Sequence, residues 1–398
     1  MIRSMASTLK TMNYKSSGLS LQLARWLLRD PLRNGSRKTA PFNIGIATDV
    51  GLTRQHNEDR SAICRGADKY GNSYFILALA DGIGGMRDGM ECAATAIAAL
   101  FTTVHEQAQI GTSDPLSWLE HGAHASNQIV RDLYEGKGGS TLVAALISEV
   151  GKSGWISVGD SRIYSFSEEA SIQISKDDTI AGQLGRQREN SSEQSQLLQY
   201  IGMQSPLDLQ ISAFDSKTPH RLVLCTDGVY FTSHDAKLLS LIILNKAIGQ
   251  DEGIVARRLV ELSRWAGGPD NSTAIVATLP LDFTSIPNLG SSNLEIWDSL
   301  GQLYLHPAIA IKPRLEQKAQ PAAEPLNSLK SADNSHAEQV LLRDETVPPE
   351  TRKSRKAAKT SSKAKRSSTR ARKKSGKLEI DDSPTPGLEL DFSSVKDD

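Results

Sequence analysis

Cysteine, aromatic side chains and long apolar runs are all scarce in this chain, and each shortage removes a class of protein. Only three cysteines occur in 398 residues, and aromatics make up 5%. Cys64, Cys92 and Cys225 lie far apart in apolar settings. They offer neither a disulfide framework nor metal-ligand spacing, so a reducing compartment is the natural reading. No apolar run approaches the roughly 20 residues that cross a bilayer, which leads us to expect no transmembrane segment and a cytoplasmic protein. A net excess of charge is also missing, the formal value being +0. That balance hides a segregation: 352–377 is dense in Lys and Arg and has no acid, whereas 379–398 is acidic. What remains is a chain that is 38% hydrophobic, enough for one sizeable core.

Residues 42–281 alternate β-like and helix-like segments and read as the domain. Strands are expected at Asn43–Thr48, Arg60–Arg65, Ser73–Asp81, Ser140–Ser148, Gly154–Phe166, Ser171–Ser175, Leu209–Phe214, Arg221–Thr226 and Ser272–Leu279, each bounded by turn residues. Helices are expected at Met90–Val104, Pro115–Leu133, Asp235–Ile248 and Gly253–Trp265, the second opening on a capping Asp114 followed by proline. Directly joined strands with helices arriving in pairs imply an α+β sandwich of antiparallel sheets, each face covered by a helix pair. Residues 1–41 form a basic extension in which Leu19, Leu21, Leu23, Trp26, Leu27 and Leu28 can make an apolar face. We expect it to be disordered or loosely docked, the alternatives being an organelle transit peptide or a surface-seeking helix. Residues 282–311 keep apolar content and read as a docking segment. Residues 312–398, poor in aromatics, read as a disordered tail.

Four aspartates stand at the ends of β-like segments: Asp81-Gly82, Asp160-Ser161, Asp227-Gly228 and Asp270-Asn271. One Asp-Gly is an ordinary turn, because glycine supplies positive φ and Asp bonds its own backbone. Four are informative, since the strands of a sheet can bring their ends together. Hard cations such as Mg²⁺ and Mn²⁺ take this kind of oxygen donor. Arg54, Glu58 and Asp59 add a guanidinium able to clamp phosphate and two more carboxylates. The set points to phosphate-ester hydrolysis at a two-metal centre, with a bridging hydroxide as nucleophile and Arg54 on the phosphoryl oxygens. Rival chemistries lack their parts. Cys225 has no arginine six residues on, and Asp227 has no Asp two residues on. There is no His-Glu-x-x-His, no complete Gly-x4-Gly-Lys-Ser and no Gly-x-Ser-x-Gly.

These blocks, in order, resemble the metal-dependent type 2C serine/threonine protein phosphatases of the bacterial pattern. They are Arg54-x-x-Asn57-Glu58-Asp59, Ala80-Asp81-Gly82-Ile83-Gly84-Gly85, Gly139-Ser140-Thr141, Val158-Gly159-Asp160-Ser161-Arg162-Ile163-Tyr164, Leu224-Cys225-Thr226-Asp227-Gly228-Val229 and Asp270-Asn271-Ser272-Thr273. The resemblance spans about Asn43 to Pro280 and implies a four-layer αββα sandwich. It implies that Asp81 bridges two Mn²⁺ or Mg²⁺ ions with Gly82 lending a carbonyl, that Asp227 and Asp270 hold the first ion, and that Glu58 and Asp59 surround the second. Asp160 corresponds to a weaker third metal and Arg54 to the phosphate clamp. Two departures matter. Ile83 stands where eukaryotic members often have a histidine acid, and Phe231 stands where many members have another aspartate, which puts the third ion in doubt. Gln183, Arg186, Gln187, Arg188 and Glu189 fall in the family's variable flap.

The resemblance implies phosphoprotein substrates and a cognate Ser/Thr kinase. The competing reading is a catalytically silent binding module that recruits a kinase or other partner; its mark would be a lost metal ligand, and the acidic set is complete. The 352–377 block, with no aromatics for base stacking, suits a non-specific anionic partner rather than base-specific binding.

Overall fold

A computed structural model describes residues 18–29, 33–111, 114–167, 171–184, 196–231, 251–285, 287 and 289–306. All belong to the first of two units into which the chain divides, 1–316 and 317–398. The expected helix at 235–248, flap residues Arg186 to Glu189 and the 312–398 tail lie outside the described residues.

In chain order the elements are α1 (Gly18–Leu27), β1 (Asn34–Lys38), β2 (Ile44–Asp49), β3 (Arg60–Ala67), β4 (Ser73–Ala80), α2 (Gly89–Ile110), α3 (Pro115–Leu133), β5 (Leu142–Ser148), β6 (Ser153–Val158) and β7 (Arg162–Phe166). They continue with β8 (Ser171–Gln173), α4 (Ile180–Leu184), β9 (Gln210–Phe214), β10 (His220–Cys225), α5 (Asp227–Tyr230), α6 (Glu252–Trp265), β11 (Ser272–Leu279), β12 (Leu294–Trp297) and β13 (Gln302–Leu305). Two antiparallel sheets result, ordered β1-β2-β11-β10-β7-β8 and β13-β12-β3-β4-β5-β6-β9.

The strands alternate between two apolar environments. Along β4, Phe75, Leu77 and Leu79 join Ile46, Leu224 and Ile275 in the layer between the sheets. Tyr74, Ile76 and Ala78 face the other way, into a cluster with Ile97, Phe101 and Val104 of α2 and Leu119 and Ala123 of α3. On the second sheet Val223 and Val276 meet Val255, Ala256 and Leu259 of α6. Period-two alternation with apolar residues on both faces is what a sheet buried on both sides demands. The α+β, helix–sheet–sheet–helix architecture is therefore the one observed, with α6 covering the second sheet.

Two expectations need correction. Gly154–Phe166 is not one strand but β6 and β7, in different sheets. The chain breaks at Gly159, whose φ of 101° no strand residue with a side chain holds comfortably, and Asp160 sits at that crossing. The apolar character on both sides of the break conceals it. Ordered structure also begins well before residue 42. In α1, Leu23, Ala24 and Leu27 are buried in the α2 and α3 cluster, so this stretch is docked helix rather than loose extension. The polar strand β1 pairs with β2 from Asn34↔Asp49 to Lys38↔Gly45. Downstream, β12 and β13 form a hairpin that extends the larger sheet beside β3. Among the described residues no helix is long and apolar enough to cross a membrane.

One buried group makes stability pH-dependent. His105 of α2 is buried, its Nδ1 3.2 Å from Tyr74 Oη, and burial lowers its pKa from 6.5 to about 4. Above about 6.5 it is neutral in both states. Between there and about 4 the unfolded chain binds a proton that the folded chain refuses, so stability falls with pH and the slope ends below about 4. Urea unfolding should show a His105 contribution of about 2–3 kcal/mol lost between pH 7 and pH 4.5, and His105→Gln should remove it.

Candidate active site

Hairpin registers bring the acids together. In the larger sheet Arg60 pairs with Ala80, so Asp59, one residue before β3, lies opposite Asp81, one residue after β4. In the other sheet Cys225 pairs with Ala274, and Thr226 N donates to Thr273 O at 3.1 Å, which puts Asp227 and Asp270 at the same end. Asp160 joins them from the β6–β7 crossing. The shared end is a cleft of ≈ 430 Å³, lined by Arg54, Gln55, His56, Glu58, Asp81, Gly82, Ile83, Gly84, Thr141, Asp160, Leu197, Asp227, Asp270 and Asn271. Asp59 lies buried at 3% exposure. Every site residue singled out in the sequence is thus in the cleft wall or, for Asp59, buried against it.

The acids are held from behind, some through the carboxylate and others through the main chain. Asp59 Oδ2 accepts from Thr273 Oγ1 (2.7 Å) and Thr226 Oγ1 (3.0 Å), while its buried Oδ1 has no hydrogen-bond donor. Asp81 is fixed through its main chain. Its N donates to Thr141 Oγ1 (2.9 Å), and its O accepts from Ser140 Oγ and Thr141 N, both at 2.8 Å. A side chain at Gly82 would meet the Gly89 backbone at 2.4 Å, so only glycine lets the α2 N-terminus approach this strand end. Asn271 is the central tie of the loops: its Oδ1 accepts from Glu58 N (2.8 Å), and its Nδ2 donates to Val50 O and His56 O (both 3.0 Å). Asp160 O accepts from Tyr230 Oη at 2.9 Å.

The electrostatics are those of crowded acids. Burial, then repulsion from neighbouring carboxylates, pushes Asp81 and Asp227 well above the usual range. Burial raises Asp160 to about 7, with Asp177 adding repulsion. It raises Asp59 to about 6 against the opposing pull of the Thr273 and Thr226 hydroxyls. Burial raises Glu58 as well. The one cation lining the cleft among the described residues, Arg54, has its pKa raised by its hydrogen bond to Asp270, Nη2 to Oδ2 at 2.8 Å. Asp270 Oδ1 meanwhile accepts from Asn271 N at 2.8 Å, so both of its oxygens are engaged. Among the described residues no group of three or more His, Cys, Asp or Glu stands arranged to hold a metal ion as it is, consistent with Arg54 occupying one candidate ligand. The donor set still fits hard divalent ions: it is all oxygen and strongly anionic, and it includes a buried carboxylate oxygen with no proton donor.

A profile described as protein phosphatase 2C matches residues 53–262. The chain belongs to the protein phosphatase 2C family. Its relatives in that family include the serine/threonine protein phosphatase PstP of Mycobacterium tuberculosis, 28% identical over 252 residues, which are 61% of this chain and 46% of the relative. The chain thus spans about half the length of that phosphatase. The serine/threonine phosphatase stp of Listeria innocua is 25% identical over 242 residues, 58% of this chain and 92% of the relative. A solved structure of the catalytic domain of PstP, in complex with two manganese ions, aligns at 26% identity and a TM-score of 0.48 over 62% of this chain and 100% of that one.

Within this phosphatase 2C domain, sequence reasoning missed the hydroxyls behind the acids. Thr226 and Thr273 look like ordinary strand residues, and their role exists only because the β10–β11 register sets them side by side. Arg60, buried at the start of β3, was missed for the same reason. Ile83 lines the cleft, and Phe231 stacks on Tyr230 with ring centroids 5.5 Å apart.

Proposed function

We propose that this chain is a divalent-metal-dependent phosphatase that removes phosphate from serine and threonine residues of proteins. The observation that carries the reading is the convergence on one cleft of Glu58, Asp59, Asp81, Asp160, Asp227 and Asp270 beside Arg54, with a buried Asp59 oxygen lacking any donor. In this reading Asp81, the Gly82 carbonyl, Asp227 and Asp270 would hold one Mn²⁺ or Mg²⁺ ion, and Asp81, Glu58 and Asp59 would hold a second. Asp160 would serve a weaker third. When bound, the ions supply Lewis acidity toward water and the phosphoryl oxygens.

The chain's own groups do the rest. Thr273 and Thr226 hold Asp59 Oδ2 and so turn Oδ1 inward. Arg54 exchanges its bond to Asp270 for a bidentate grip on phosphate, which orients the ester for in-line displacement. Ile83 leaves the wall without a proton donor at that point, so the leaving serine or threonine oxygen takes its proton from water or from another group of the cleft. Phosphoprotein substrates, and a kinase that makes them, follow from this reading.

The purified chain stripped with EDTA should hydrolyse neither p-nitrophenyl phosphate nor a phosphothreonine peptide, and Mn²⁺ should restore both. Activity that survives stripping would refute the metal-dependent reading. Mn²⁺ binding without hydrolysis would make the chain a silent binding module instead.

A further inference from the structure

Arg60 connects the cleft to a part of the chain that the phosphatase 2C profile does not include. It is buried at 6% exposure, and all three of its hydrogen bonds go to main-chain carbonyls. Nη1 donates to Asn57 O (2.8 Å) and Asp59 O (2.6 Å), and Nε donates to Leu27 O (2.7 Å). The first two carbonyls bracket Glu58. One guanidinium therefore fixes the peptide plane before Glu58 and the one after Asp59, so that the Glu58–Asp59 pair is held at both ends and with it the directions of the two side chains. The third carbonyl is the last of α1. The final carbonyls of a helix have no partner inside it, and a cation there is favoured by the helix dipole. Arg60 is thus the distant C-terminal cap of α1 and the clamp of the acidic loop at once.

The end of α1 is itself anchored. Arg29, stacked 4.0 Å over Trp26, bonds Asp298, whose Oδ1 accepts from Leu300 N and Gly301 N in the β12–β13 turn. Leu23 and Leu27 bury the helix against α2. Both α1 and the hairpin lie outside residues 53–262.

We propose that Arg60 is a positioning residue through which docked α1 sets the geometry of the Glu58–Asp59 loop, so that the N-terminal helix determines how tightly the cleft binds its divalent metal. This rests on the metal-dependent reading above. Three substitutions separate the cases in the full chain: Arg60→Lys, which keeps charge but loses the fork; Arg60→Met, which loses both; and Leu23→Ala, which loosens α1 without touching the loop.

Calorimetry with Mn²⁺ alone should give a dissociation constant about tenfold higher for Arg60→Lys and Leu23→Ala, and up to about a hundredfold higher for Arg60→Met. At saturating Mn²⁺, kcat for p-nitrophenyl phosphate should return to within about twofold of wild type for Arg60→Lys and Leu23→Ala. Should Arg60→Met be recovered unfolded, the other two carry the test. Variants that melt earlier but bind Mn²⁺ as tightly as wild type would overturn the proposal and leave Arg60 a purely structural residue. A wild-type chain that binds no Mn²⁺ would instead remove the metal-dependent reading, and this proposal with it.

Discussion

Asp81→Asn should abolish Mn²⁺-dependent hydrolysis while making the metal-free protein more stable. The two effects have one cause. Asp81 stands among Asp59, Asp160, Asp227 and Asp270, and burial together with their repulsion holds its carboxyl well above the usual range. An acid whose folded pKa is raised opposes folding at any pH above its unfolded value, because the folded chain must then either keep a proton that the unfolded chain releases or bear the repulsion. Asparagine has neither cost. In EDTA at pH 7.5 the variant should gain on the order of 1 kcal/mol, a rise of about 2–4 °C in Tm. The figure is modest because Asp81 still borders the open cleft. The gain should shrink as pH falls through about 4, the unfolded value, below which both states of the wild type hold the proton. Activity should fall at least about 10³-fold, since on the proposed mechanism the amide would lend no negative charge to the bound metal. Adding Mn²⁺ should reverse the stability order, wild type gaining and Asp81→Asn not. Phosphatase activity near the wild-type level in Asp81→Asn would remove Asp81 from the centre of the site.

What could be read from the chain beforehand follows a physical division. Four of the acids were legible because each occupies a strand end, where Asp followed by a small residue has a local meaning, and six motif blocks in order, those four among them, carry the resemblance. The layered sheets were legible too, since strands buried on both faces are apolar throughout. Features that depend on register were hidden. Thr226 and Thr273 acquire their function only when Cys225 pairs with Ala274, and nothing in a threonine beside an apolar run announces a pairing. Strand β1 was invisible because Asn34-Gly35-Ser36-Arg37-Lys38 is an edge, and an edge half-facing water carries no apolar pattern. The continuous β-like stretch from Gly154 to Phe166 concealed the sheet change because one glycine makes it. Arg60 reads as a charged residue opening a strand; that it caps a helix 33 positions earlier is a tertiary fact.

Arg54 offers the sharper separation of binding from chemistry. Its guanidinium now donates to Asp270, which uses its other oxygen on Asn271 N. A cation seeking Asp270 must displace Arg54, and a phosphoryl group arriving at the cleft offers Arg54 a doubly charged partner in exchange. The exposed Arg54–Asp270 pair contributes little by itself, as surface pairs do, so the exchange meets a low barrier. Arg54→Met should therefore leave Mn²⁺ affinity unchanged or slightly tighter, because the competitor for Asp270 is gone. It should lower kcat/KM for a phosphothreonine peptide about 10²-fold through lost orientation of the phosphate. Inorganic phosphate, a competitor that needs the same clamp, should inhibit the variant correspondingly less. The opposite pattern, weaker Mn²⁺ binding with kcat/KM restored at high metal, would mean that Arg54 serves to shape Asp270 and that the phosphate is held by the cations alone.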